Sequence, residues 1–326
     1  MRLQSIVRTA LVMMAVVGTA SSAWAQDYPQ KAIRLFIGQS AGGAVDTVAR
    51  LLAEQMSTEL GQTVIVEYRP GASGMIAAQA TATSTPDGYT LGLLDAGALA
   101  VSPVLQKKIS YDVSRDFTYL GLVAKIPLVL AAHPSLQPST LEELTSFLKQ
   151  QPGNLSYASS GVGGPLHLAM ETYKQRTGTE ITHVPYQGGA PALTAVVGGH
   201  VPLLFIDTNL GGEYARAGKL KLIAVATTSR NPKIPDVPTF SEAGIKDFEF
   251  APWVGLTGPA GMPEPVVQRL TDALAKVMAG DQLARKIRDV GLVPTGSTSK
   301  QFTAFAASEL ENYRTLIQER KISLGE

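Results

Sequence analysis

Apolar positions along the chain alternate between two periods. Val45, Val48, Ala49, Leu52, Met56 and Leu60 recur at steps of three and four with Gly61 as a stop, which predicts a helix from Ala44 to Leu60. The preceding run IRLFI reads as a strand, and GQSAGG joins the two. TVIVEY is a β-branched strand, RPGASG a turn, MIAAQATATS a helix, and TPDGYTLGLL a Pro-Asp-Gly turn that feeds another strand. From Pro127 the rhythm restarts. PLVLAA is a strand, and Ser139 with Glu142 forms a capping box for a helix reaching Gln150. LSYAS, ITHVP, VPLLFI and KLIAVAT are further strands, while Pro165 opens a helix over LHLAMETYKQRT and Pro191 one over ALTAVV. After a proline-rich loop comes a return strand in FEFAPWVGLTGPAGMP. C-terminal helices close the chain, the last with Phe302, Phe305, Ala306, Leu310, Tyr313 and Ile317 on one side.

This alternation indicates an α/β protein. VPLLFI is apolar almost throughout and ends at Asp207, a pattern of burial on both faces that points to parallel sheets. One junction recurs: strand, glycine-rich turn, helix, at SAGG, RPGASG, SSGVGG and YQGGA, two in each half of the chain. In open α/β sheets such turns lie beyond the carboxyl ends of the strands, where ligands bind. Two domains facing each other across these rims would enclose one cleft.

The first residues change the picture. Arg2 and Arg8 flank an apolar run from Leu11 to Val17, followed by Ala23-Trp24-Ala25, which reads as a secretory signal peptide over 1–25. The run is shorter than the roughly 20 residues of a membrane span. With no cysteine there is neither a lipid anchor nor a disulfide, so a soluble periplasmic protein is expected. Loss of Arg2 and Arg8 takes the formal net charge from +1 to −1, and no basic patch points to nucleic acid or membrane. The remaining chain of about 300 residues suggests two domains.

No phosphate-loop signature and no complete dinucleotide fingerprint accompanies the glycine turns. No G-x-S-x-G occurs, and His133, His167, His183 and His200 lack metal-ligand spacing, so neither metal nor cofactor is expected. Capture of a small anion fits the turns best. They offer main-chain amides and the hydroxyls of Ser40, Ser73, Ser159 and Ser160, with Arg69 as their one cation, and charge-assisted hydrogen bonds from neutral donors can hold a carboxylate. Alternatives stand beside this reading. A secreted serine hydrolase could use Ser159 or Ser160 if a histidine folds close. Asp46 serves its helix dipole or the ligand, Arg69 its own loop or the ligand, and Asp207 a helix cap or the ligand. Tyr186 and Trp253 belong either to the core or to the cleft wall.

Taken together, YPQKAIRLFIGQSAGGAVDTVAR, VEYRPGASG, TPDGYTLGLL, YASSGVGGPLHLAMETY, HVPYQGGAPALTAVVGGHV, GKLKLIAVATTSRNPKIPDVPTFSEAG and WVGLTGPAGMPEPVVQRL occur in the order found in the extracytoplasmic solute receptors of the tripartite tricarboxylate transporter family, the Bug-type receptors. The chain resembles them over nearly its whole length after Ala25. The resemblance implies a two-lobed Venus-flytrap fold, each lobe a mainly parallel sheet flanked by helices, with two crossovers between lobes. One lobe would comprise 26–125 with 250–326, the other 126–249. It implies a monomer without enzymatic activity that delivers a small organic carboxylate (a di- or tricarboxylate, aromatic acid or amino acid) to a membrane permease. A receptor feeding a signalling partner is the related alternative. The ligand contacts carried over are Ser40, Ala41, Gly42 and Gly43; Gly71, Ala72, Ser73 and Gly74; Ser159, Ser160, Gly161, Gly163 and Gly164; Tyr186 with Gly188; and Asp207. Two departures from the family pattern stand out. Gln39, Ser40 and Ala41 replace the usual prolines of the first loop, and Asp95 stands where small or hydroxyl residues are common. Asp95 either faces the cleft, favouring an ammonium or hydroxyl on the ligand, or only bonds its own loop.

Overall fold

The computed structural model describes residues 28–106 and 108–319, so the expected signal peptide lies outside the described residues. Strand β1 (Ile33–Ile37) runs through the first glycine turn into α1 (Ala44–Leu60), whose end is fixed by Gly61 in the left-handed region at φ 70. β2 (Val64–Tyr68), α2 (Met75–Ala82) and β3 (Thr90–Asp95) follow. A π-helical turn at Gly97–Val101 then leads into the short α3 (Ser102–Leu105) and β4 (Phe117–Lys125). Beyond Ile126 and Pro127 come β5 (Leu128–Ala132), α4 (Leu141–Gln150), β6 (Ser156–Ser159), α5 (Pro165–Thr177), β7 (Thr182–Pro185), α6 (Gly189–Val197), β8 (Leu203–Asp207), α7 (Thr208–Arg216) and β9 (Lys221–Val225). The chain closes with β10 (Trp253–Pro259), α8 (Glu264–Ala279), α9 (Asp281–Asp289), β11 (Val293–Pro294) and α10 (Ser299–Glu319).

These strands form two sheets, ordered β11-β4-β10-β3-β1-β2 and β7-β6-β8-β5-β9. The expectation of mainly parallel sheets is corrected: both are mixed. β1 runs parallel to β2 and β3, and β6 to β7 and β8. By contrast β10 is antiparallel to β3 and β4, β11 to β4, and β5 to β8 and β9. A parallel pair needs a long crossover, usually a helix. Only Ile126 and Pro127 separate β4 from β5, and β5 lies antiparallel to both its neighbours in the second sheet, as β10 does in the first. The two passages touch where Ile126 N–H donates to Pro252 O at 2.6 Å. β8 is indeed buried at all five positions, yet burial on both faces does not by itself set strand direction.

The capping box of α4 is also displaced by one residue from the sequence reading. Thr140, not Ser139, is the N-cap: its Oγ1 accepts from Glu143 N–H at 3.2 Å, and Glu143 Oε2 accepts from Thr140 N–H at 3.2 Å and Ser139 N–H at 2.8 Å. Buried apolar side chains of both sheets form the cores. On the first sheet α10 docks through Phe302, against which Gly255 is pressed so closely that a Cβ there would stand 2.0 Å from Phe302 Cζ.

Candidate functional site

Both sheets end their parallel strands toward each other. Helices α1, α5 and α6 start at Gly43, Gly164 and Gly188, and none of these N-caps has a side-chain hydrogen bond, because glycine has none to offer. The first N–H groups of such helices lack intrahelical partners and carry the positive end of the helix dipole. Gly43 to Val45, Pro165 with Leu166, and Gly189, which lie at these starts, line one cavity of about 70 Å³ between the sheets. Its floor is made by Ile126 and Pro252 from the two passages, and its walls include Leu128, Ile206, Gln39, Ser160, Asp95 and Asp207. No Lys, Arg or His is among these lining residues.

The four glycine turns contribute unequally. In the first, Gly43 lines the cavity, Ala41 and Gly42 are exposed, and Ser40 Oγ donates to Gln187 O of the opposite sheet's rim at 2.5 Å. Asp46 takes the N–H of Gly42 at 2.9 Å, Arg50 Nε at 2.8 Å and Tyr68 O–H at 2.8 Å, so it fastens the loop to its own helix and strand. The second turn, Gly71 to Gly74, is absent from the cavity lining and acts as a strut. Ala72 at φ 47 and Ser73 at φ 53 are held in the left-handed region, and Ser73 Oγ donates to Val162 O across the cleft at 2.6 Å. Arg69 pairs with Glu67 at 3.4 Å and lies over the Phe36 ring, the own-loop role. In the fourth turn Tyr186 packs on the second sheet's core. A Cβ on Gly188 would meet Ser40 Oγ at 3.2 Å.

The third turn holds a serine and a histidine together. Ser159 Oγ lies 2.6 Å from His183 Nε2, and His183 is stacked between Tyr157 and His167 with ring centroids 4.9 and 4.0 Å away. Ser159 is wholly buried and does not line the cavity, whereas its neighbour Ser160 does. Burial lowers His183 to about 3 and His167 to about 4, keeping both neutral at ordinary pH. Neutral His167 can therefore accept from Gly163 N–H at 3.0 Å. The cluster anchors Ser159 to Gly164 from beneath; Gly161, at φ 133, packs beside Ser73.

The sequence profile described as tripartite tricarboxylate transporter family receptor matches residues 48–322. The chain belongs to this receptor family. Protein BugT of Bordetella pertussis is 32% identical over 309 residues, covering 94% of this chain and 95% of the relative. The solved periplasmic binding protein BugD superposes with a TM-score of 0.87 at 31% identity, covering 91% of this chain and 99% of that one. Rpa4515 of R. palustris, solved with adipate, superposes at 0.88 with 31% identity and coverage of 91% and 99%. The likeness to these structures shows the two-lobed binding-protein fold, with a sheet in each lobe.

In the receptor, two carboxylates are buried at the cavity. Asp207 caps α7, its Oδ1 accepting from Leu210 N–H at 2.9 Å, and burial raises it to about 6. Asp95 accepts from Ala98 N–H at 3.1 Å and Gln39 Nε2 at 2.9 Å; burial raises it above the usual range, and those hydrogen bonds pull it back. The receptor thus keeps Asp95 bonded to its own loop and at the cavity wall at once. Trp253 is wholly buried, with Nε1 donating to Glu309 at 3.0 Å, so it belongs to the core. Among the described residues no cluster of His, Asp or Glu could hold a metal, and no helix is long and apolar enough to cross a membrane. Sequence reasoning missed Gln39 as a wall residue and the apolar lining of Leu166, Ile126, Ile206 and Pro252. Nothing in the sequence distinguishes an apolar residue that faces a cavity from one that faces the core.

Proposed function

We propose that this receptor closes its two lobes on a small organic carboxylate and presents it to a membrane permease, without a covalent step. The observation that carries this reading is the meeting of three uncapped helix starts, drawn from both lobes, at one largely apolar cavity. Unpartnered N–H groups and aligned dipoles favour an anion there. A ligand held by donors instead of by a lysine or arginine is also released readily. Adipate in Rpa4515 supports a carboxylate as the ligand class.

In this reading the carboxylate is held at Gly43 with Ser40 to Gly42 closing over it, at Ser160 to Gly164, and at Gly188, while Gly71 to Gly74 and Tyr186 brace the rims. Residues 28–125 with 250–319 move against 126–249 about the paired passages at Ile126 and Pro252, and contacts to both lobes favour the closed population. The signal-like segment at 1–25 fits export to the periplasm, and the family's transporters supply the permease. A thermal-shift screen of the chain from Gln26 against carboxylates, neutral sugars and metal ions tests the ligand class. A carboxylate at 100 times its dissociation constant adds about 2.7 kcal/mol and raises the melting point by several degrees. Stabilisation by sugars or metal ions alone would overturn the reading.

A further inference from the structure

The cavity that attracts anions at its helix starts carries the opposite potential at one wall. Asp95 stands at the end of β3, buried, with Oδ1 on the N–H of Ala98 and Oδ2 on the amide of Gln39. Both bonds come from neutral donors, and no cation among the cavity-lining residues offsets the charge. Gln39 precedes the first glycine turn, so its amide orients Asp95 from the same loop whose end, Gly43, opens the anion-holding face. Asp207 adds a second buried carboxylate on the other lobe, capping α7 through Leu210 N–H. Asp95 caps the helical run over 96–105 in the same manner through Ala98 N–H, but its Oδ2 is held by Gln39, and both of these residues line the cavity wall. A ligand that ends in a second carboxylate brings like charge to this wall in a largely apolar site. One that brings an N–H or O–H there finds an oriented acceptor.

Resting on the carboxylate reading above, we propose that Asp95, oriented by Gln39, selects the ligand: a carboxylate whose remainder carries a hydrogen-bond donor, an ammonium or a hydroxyl, and not an unsubstituted dicarboxylate. Specificity arises here as much from repulsion of the wrong ligand as from attraction of the right one. A site built around a polar group also rejects analogues that leave that group unanswered more strongly than it rejects a change of one methylene.

Isothermal titration with matched pairs tests this. Succinate is compared with malate and aspartate, which add a hydroxyl or an ammonium, and adipate with 6-aminohexanoate, which exchanges one carboxylate for an ammonium. In the wild type the donor-bearing member of at least one pair should bind about tenfold or more tightly than its partner. In Asp95→Asn that ratio should fall to within about threefold, because the amide no longer repels a carboxylate. Wild type that binds the plain dicarboxylates as tightly as their partners overturns the proposal, as does an Asp95→Asn ratio equal to that of the wild type. The wild-type ratios decide the matter alone if the variant does not fold. Absence of binding by every carboxylate in the panel overturns the underlying carboxylate reading, and a carboxylate-binding protein indifferent to the donor overturns only the role of Asp95.

Discussion

At the scale of single residues, the same physical setting has different consequences for different carboxylates. Asp46 is buried yet meets Arg50, Tyr68 and the N–H of Gly42, so its charge is answered within the loop. Asp207 has the N–H groups of α7 and no cation, and burial lifts it from 3.8 to about 6. Between about pH 4 and 6 the folded protein retains a proton that the unfolded chain has released. The stability contributed by Asp207 is therefore complete below about pH 4 and is lost as pH rises to about 6, on the order of 3 kcal/mol. Asn caps helices as well as Asp does and cannot ionise. Urea unfolding of ligand-free Asp207→Asn and wild type should show the variant gaining relative stability from pH 4 to pH 7. Parallel curves would mean that Asp207 stays charged at no cost.

Among elements, the legibility of the sequence depended on whether the signal was local. Helix α1 runs from Ala44 to Leu60 as its apolar spacing indicates, because both ends are marked by glycines with their own conformational reasons. The cap of α4 was read one residue early, since Ser139 and Thr140 are both good caps and both precede a glutamate by three. The hydrogen bonds choose Thr140. Thr140→Ala should cost about 1 kcal/mol in chemical denaturation, and Ser139→Ala only a few tenths. Equal losses would place the cap elsewhere. Strand direction was not legible, because an apolar run records burial while its connections determine its direction. The glycine turns could be recognised as strand-to-helix junctions, but their division into wall, strut and cap could not. Those roles depend on contacts between residues distant in the chain, as with Ser73 and Val162.

For the whole molecule, two rim contacts join the lobes beside the bonds that Thr208 Oγ1 and Asn231 Nδ2 donate to Gly291 O at 2.9 and 3.1 Å. Ser40 to Gln187 and Ser73 to Val162 each join a side chain of one lobe to main chain of the other. The double variant Ser40→Ala and Ser73→Ala removes both without touching either core. Each neutral hydrogen bond is worth about 1 kcal/mol, so the closed population and the apparent ligand affinity should fall about tenfold or more. Small-angle scattering should show a larger radius of gyration in the variant at a ligand concentration that compacts the wild type. An unchanged affinity and radius would show that closure is set away from these rims, at the passages or at Gly291.

The place of β10 has a further consequence, for the order in which the molecule is made. It lies between β3 and β4 and ties to the former through Thr257 Oγ1 and Gly92 O, 165 positions apart in the chain. All five strands of the second sheet fall between Leu128 and Val225. A chain appearing from its N-terminus therefore holds every strand of the lobe it meets second before it holds the middle strand of the lobe it meets first. Until Pro259 emerges, the facing edges of β3 and β4 are unpaired, and they are the part of this fold most exposed to pairing with the wrong neighbour.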